Sequence, residues 1–213
     1  MPIPNRSLKV QQTANIITKK ISNINTIYRG GPSLHFYHRV RELRKGHECI
    51  TSFVGCTTCA EILYATLLAW DMNNRGAKMD DFPVFQKALI NSLPDLLLVE
   101  SLVPSFKYNA RASIIGALRA AYTSLHLMKT KGRLVSNSKC LHFLFPEVCP
   151  PMDRTNTLQK LYGNTAESPA KFTELLDFSY DVLSSIANPG QYLDAQWNTC
   201  ETKLVDNAII MMK

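Results

Sequence analysis

Apolar residues recur along most of this chain at the three- and four-residue spacing of an amphipathic helix. The clearest run covers residues 110–128, and another follows Ser168, an N-cap residue with proline at the next position, and extends to Ile186. The sequence has neither a long apolar–polar alternation nor an Asn-Gly hairpin turn. The pattern therefore predicts an all-α fold of about eight to ten helices over residues 1–213, in one compact unit or in two small lobes with a cleft.

Shorter apolar runs and their boundary residues predict further helices. Thr58 and Glu61 make a capping-box pattern ahead of the apolar residues 62–70. A terminal helix is predicted over residues 202–212. We expect its polar residues to face solvent rather than to support a site; they are Lys203, Asp206 and Asn207.

Length and composition are those of an ordinary globular protein. With 213 residues, 46% of them apolar, the chain can bury the core of one domain. No stretch has the apolar length of a membrane span or a signal peptide, so we expect a cytoplasmic protein without a membrane partner. Six cysteines are too few for a disulfide scaffold of this size, and we expect reduced thiols.

The net charge of +7 is concentrated in two parts of the chain. Residues 1–50 hold nine of the 24 Lys and Arg residues but only two acids, and no acid lies between Glu100 and Glu147. Such basic segments suit a phosphate backbone, although a solvated helix face has the same composition. DNA is therefore an expected partner, and the sequence indicates no obligate protein partner.

The most informative segment is residues 132–163, GRLVSNSKCLHFLFPEVCPPMDRTNTLQKLYG. Lys139 opens an apolar run that stops at Pro146, and Asp153 follows a Pro-Pro-Met stretch and starts the next helix. A carboxylate can stabilise the sugar cation that forms when a base leaves deoxyribose, and a deprotonated amine can attack the same carbon. Burial or a cation such as Arg154 would lower the pKa of the Lys139 amine. The pair predicts DNA N-glycosylase chemistry.

The same two residues also have a purely structural interpretation. Asp153 stands at a position where a carboxylate caps the free N–H groups of a helix, and Lys139 has the character of a surface cation. The sequence alone leaves both interpretations open.

The segment resembles the catalytic region of helix-hairpin-helix DNA glycosylases, and in particular the archaeal 8-oxoguanine glycosylase branch. In that family a lysine follows a tight hairpin and an aspartate begins a later helix. The pattern Asn-Ser-Lys, Leu-His, Pro and Asp-Arg is also similar to one found in a widespread group of bacterial proteins. The resemblance implies that Lys139 is the Schiff-base lysine and Asp153 the activating aspartate. It implies excision of a damaged or modified base, in repair or in antiviral defence against modified phage DNA, with or without lyase activity.

The chain departs from this family just before the lysine. The family hairpin carries glycines there, whereas residues 134–138 contain none, so we expect hydroxyl and amide side chains to replace the backbone contacts with phosphate. The expected DNA-binding residues are Arg39, Arg44, Lys129, Lys131, Arg133, Ser136, Asn137, Ser138 and Arg154. The base pocket is expected to draw on Tyr37, Trp70, Asp71 and His142.

A metal site is the main alternative chemistry. Cys56 and Cys59 form a CxxC pair, but the sequence has no second CxxC and no histidine pair at ligand spacing. We therefore predict neither a metal nor another cofactor, and whether this pair binds a metal stays an open question.

Two functions from different classes are consistent with these patterns. The first is a DNA glycosylase that acts through Lys139 and Asp153. The second is a non-catalytic, basic helical module that binds DNA or RNA in a salt-sensitive way. Chemistry at the Lys139 and Asp153 pair separates the two.

Overall fold

The computed structural model describes residues 2–28, 30–74 and 76–212, and this part of the chain contains twelve α-helical segments and no strand. In chain order they are α1 (Arg6–Lys20), α2 (Ile24–Ile27), α3 (Pro32–Gly46), α4 (Ile50–Gly55), α5 (Thr57–Ala69), α6 (Phe82–Asn91), α7 (Leu93–Leu102), α8 (Ala112–Ser124), α9 (Leu134–Leu144), α10 (Gln159–Tyr162), α11 (Pro169–Ser184) and α12 (Glu201–Met211). A π-helical turn, Arg154–Leu158, leads into α10. The all-α prediction is confirmed. None of the described helices has the length and apolarity that a bilayer crossing requires.

Helix α9 lies at the centre of the fold, in contact with α3, α5, α8 and α11. Ten of its eleven residues are buried, and these include several polar side chains. Helix α12 packs against α1 and α11 and is also largely buried. Since buried polar groups need hydrogen-bond partners, the polar residues of these two helices decide which segments come together around them.

Three predicted boundaries are wrong. The N-cap of α5 is Cys56, whose sulfur accepts a hydrogen bond from the Cys59 N–H at 3.4 Å, so Thr58 and Glu61 form no capping box. Helix α8 ends at Ser124 rather than at residue 128, because the following residues pair with the loop before α6. Helix α9 begins five residues before Lys139, which therefore lies in mid-helix and not after a hairpin.

Candidate functional site

A cavity of about 270 Å³ lies between the C-terminal end of α5, the middle of α9, residues 151–153 and helix α12. Its charged lining residues are Asp71, Lys139, Asp153, Lys203 and Asp206. Its aromatic walls are Tyr28, Trp70 and Trp197. The volume is close to the lower end of the range of about 300–1,000 Å³ that is usual for small-molecule sites.

A second cavity, of about 350 Å³, adjoins the first and shares four lining residues with it. The shared residues are Trp70, Asp71, Lys139 and Asp153. It extends towards Arg154 and Glu167, whose side chains form an ion pair at its edge. The two cavities together form one recess with the Lys139 amine and the Asp153 carboxylate at their common boundary.

Lys139 is a buried amine and not a surface cation. The side chain is only 8% exposed, and its Nζ donates a hydrogen bond to the Trp70 carbonyl at 2.8 Å. The same atom lies 5.6 Å from the centroid of the Trp70 ring. Burial lowers the pKa of the Lys139 amine, while the carboxylates of Asp153, Asp206 and Asp71 partly oppose that shift. The amine is thereby closer to its nucleophilic, neutral form than an exposed lysine is.

Asp153 caps the π-helical turn that follows it. Its Oδ1 accepts hydrogen bonds from the backbone N–H groups of Thr155 at 2.8 Å and Asn156 at 3.0 Å. Its own N–H donates to the hydroxyl of Thr157 at 2.9 Å. The capping interpretation is therefore confirmed, and it is compatible with a catalytic one. Among the described residues the carboxylate's hydrogen bonds all end on Oδ1, which leaves Oδ2 for a ligand in the recess.

Four buried side chains fix the loop 145–153 that carries Asp153. From α9, Ser138 accepts a hydrogen bond from a loop N–H at 3.1 Å, and His142 donates to a loop carbonyl at 2.7 Å. Tyr180 and Thr202 donate to two further loop carbonyls, each at 2.5 Å. Because three helices hold this loop, the position of Asp153 relative to Lys139 is set by the protein interior.

A buried ion pair on α12 completes the recess, and the prediction of an outward polar face is wrong. Lys203 is 3% exposed and Asp206 is 5% exposed. The Lys203 Nζ donates to Asp206 Oδ2 at 2.5 Å and to Asn207 Oδ1 at 2.8 Å, and it lies 5.3 Å from the Trp70 ring centroid. Burial raises the pKa of the Asp206 carboxyl, and Lys203 opposes the shift.

Of the four residues predicted for the base pocket, Trp70 and Asp71 line the recess. Tyr37 and His142 border neither cavity. Both are fully buried, and the Tyr37 hydroxyl donates to His142 Nε2 at 2.9 Å and accepts from Thr199 Oγ1 at 2.7 Å. Burial holds the pKa of His142 well below its usual value. Their placement in the base pocket is therefore corrected: both support the core behind the recess.

The expected phosphate contacts of residues 136–138 are also corrected, because all three lie inside α9 and are buried. The Asn137 amide donates to the carbonyls of Tyr122 and Leu125, each at 2.9 Å, and so caps the C-terminal end of α8. Ser138 holds the Asp153 loop. Ser136 borders the second cavity, but its hydroxyl donates to the Arg133 carbonyl.

Most predicted basic contacts have acidic partners on the protein. Arg44 pairs with Glu100 and is therefore not free for phosphate, and Arg39 and Lys129 make exposed pairs with Glu42 and Asp81. In the N-terminal segment, Arg6 binds two aspartates of α11 and Lys9 caps the C-terminal end of α10. Within the described ranges, the predicted cations that make no ion pair are Lys131 and Arg133, which flank Gly132, a residue that lines the second cavity.

No family model, curated protein or solved structure matches this chain.

Proposed function

We propose that this chain is a DNA glycosylase that excises a damaged or modified base, with Asp153 and Lys139 as its catalytic residues. The observation that supports the proposal is that a buried amine of lowered pKa and a capped carboxylate border one recess with aromatic walls. A flipped base requires an aromatic pocket with charged or polar groups near its sugar, and this recess offers both.

In the proposed reaction the base enters the cavity that Tyr28, Trp70 and Trp197 line. The bond between C1′ and the base nitrogen breaks, its electron pair leaves with the base, and the base takes up a proton from water. The Asp153 carboxylate stabilises the positive charge that develops on the sugar. Neutral Lys139 exchanges its hydrogen bond with the Trp70 carbonyl for a bond to C1′ and loses a proton to Asp153. Asp153 returns this proton to the sugar ring oxygen as the C1′–O4′ bond opens, which leaves an imine that borohydride reduces and water hydrolyses. With water as the nucleophile, Lys139 instead holds the adjacent phosphate.

The cations at the edge of the second cavity give the proposed DNA a path to the recess. Lys131 and Arg133 precede α9 and make no ion pair in the described part of the chain, whereas Arg154 is held by Glu167. Phosphate groups bound there would lie beside the proposed catalytic pair, and their binding would be weakened by salt.

A panel of duplex and single-stranded oligonucleotides, each with one modified base, tests the proposal. We expect one substrate to yield abasic sites that alkali converts to strand breaks. Borohydride added during the reaction should trap a covalent complex if Lys139 is the nucleophile. The Lys139→Gln variant should then lose the trapped complex, and Lys87→Gln on the exposed face of α6 is the matched control.

Salt-sensitive binding to every oligonucleotide without base release from any of them would contradict the glycosylase proposal. That result would favour the non-catalytic nucleic-acid-binding module.

A further inference from the structure

We propose that His47, Cys56 and Cys59 form a zinc site that joins the end of α3 to the start of α5. One ligand atom from each residue lies within 4.8 Å of the other two. The sequence shows only the CxxC half of this set, because His47 is nine residues before Cys56 and makes no recognised ligand spacing with it. The fold supplies the third ligand.

The separations of the three ligand atoms suit a tetrahedral zinc ion. The Cys59 sulfur lies 3.1 Å from His47 Nε2. With zinc about 2.3 Å from sulfur and about 2.0–2.1 Å from nitrogen, tetrahedral ligand atoms lie roughly 3.5–3.8 Å apart. Small side-chain rotations would therefore bring all three atoms, which already lie within 4.8 Å of one another, to bonding distance from one ion. Two thiolates and an imidazole are ligands that favour zinc over magnesium or calcium.

The surroundings of His47 orient its ring for metal binding. Ser52 Oγ donates to the Cys49 carbonyl at 2.8 Å and lies 3.2 Å from His47 Nδ1. Since the hydroxyl proton is already used, Nδ1–H donates to Ser52, and the lone pair of Nε2 faces Cys59. Metal-binding histidines commonly have such a partner on the second ring nitrogen. Zinc binding would displace two protons, the one now between Cys59 and Nε2 and the thiol proton of Cys56.

The backbone around the CxxC pair also suits a bound metal. Cys56 is the N-cap of α5, and its sulfur accepts the Cys59 N–H at the positive end of the helix. This arrangement favours the thiolate form of Cys56. Cys56 and His47 are half-buried, so that the site is open to an ion from solvent, and a water molecule would take the fourth position.

Zinc titration of the reduced, chelator-treated protein in competition with a coloured chelator tests this proposal. We expect one zinc per chain, and cobalt in the same site should show the absorption of thiolate-to-metal charge transfer. Cys56→Ser and Cys59→Ser should each weaken binding by at least about 100-fold, and His47→Gln by at least about tenfold. Circular dichroism confirms folding; Cys56→Ser, at the more exposed position, decides the result if Cys59→Ser does not fold.

Cys49→Ser is the matched control, because Cys49 is in the same segment but outside the cluster. It should change zinc affinity by less than about threefold. The absence of stoichiometric binding to the wild type, or unchanged affinity in folded Cys56→Ser, would overturn the site. A loss in Cys49→Ser as large as that in Cys56→Ser would overturn the three-residue ligand set.

Discussion

Replacing Lys203 by methionine measures how much the buried ion pair of α12 contributes to stability. The substitution keeps most of the volume of the side chain but removes the charge that faces Asp206 at 2.5 Å and Asn207 at 2.8 Å. Asp206, which is 5% exposed, is then a buried carboxylate without its hydrogen-bonded cation.

The expected loss follows from burial and from the neighbouring charges. Removing one partner of a buried ion pair costs about 3–5 kcal/mol. Two features favour a loss at the lower end of this range. Burial already raises the pKa of Asp206, so that the carboxyl can take up a proton, and the positive charge of Lys139 stabilises its ionised form. We therefore expect Lys203→Met to lower the free energy of unfolding by about 3 kcal/mol. The double variant Lys203→Met/Asp206→Leu should return to within about 1 kcal/mol of the wild type.

Urea denaturation followed by circular dichroism measures these differences. The matched control is Arg39→Met, because Arg39 and Glu42 form an ion pair of the same i,i+3 spacing whose side chains are 51% and 69% exposed. It should cost less than about 0.5 kcal/mol. A loss of under about 1 kcal/mol in Lys203→Met would refute the argument that this pair is desolvated and mutually dependent.

Three further predictions concern other parts of the fold. Burial lowers the pKa of His142 well below its ordinary value of 6.5. Below pH 6.5 the unfolded chain therefore binds a proton that the folded chain does not. The free energy of unfolding should fall on acidification by up to about 1.4 kcal/mol per pH unit. Urea denaturation at several pH values should show that component absent in His142→Gln and kept in the exposed control His126→Gln. Asn137→Leu leaves two carbonyls at the end of α8 without their donor, and should cost about 1–3 kcal/mol in the same assay. Neutralising Lys131 and Arg133 together should reduce the slope of log affinity for DNA against log salt by up to about 1.8, and an unchanged slope would place the interface elsewhere.

The helical fold and the proximity of Lys139 to Asp153 could be predicted because both depend on residues that are close together in the sequence. Hydrophobic spacing and helix-boundary residues predict helices without tertiary contacts. The Lys139 and Asp153 pair lies within one short segment, which the structure shows at the boundary of the two cavities. The predicted hairpin before Lys139 was wrong, because small polar residues that suggest a loop lie inside α9. Asn137 is satisfied there by carbonyls of α8, a contact that local sequence does not record.

The rest of the recess depends on segments that are distant along the chain. Trp70 reaches Lys139 from the end of α5, and Lys203 and Asp206 reach the same cavity from α12. One signal in the sequence was available: Lys203, Asp206 and Asn207 have the i, i+3, i+4 spacing of one helix face inside an otherwise apolar terminal helix. A face of this kind is polar whether it meets solvent or a buried site, and only the tertiary packing distinguishes the two.

Single-turnover base release by Asp153→Asn tests the proposed chemistry most directly. The substitution keeps the size of the side chain and its amide oxygen can still cap the turn, but it removes the negative charge. On the substrate that the panel identifies, we expect base release to fall by at least about 100-fold while DNA affinity stays equal or increases, with Asp95→Asn in α7 as the control that retains activity. Full excision by Asp153→Asn and by Lys139→Gln would contradict the account and leave Asp153 as a helix cap beside a buried lysine.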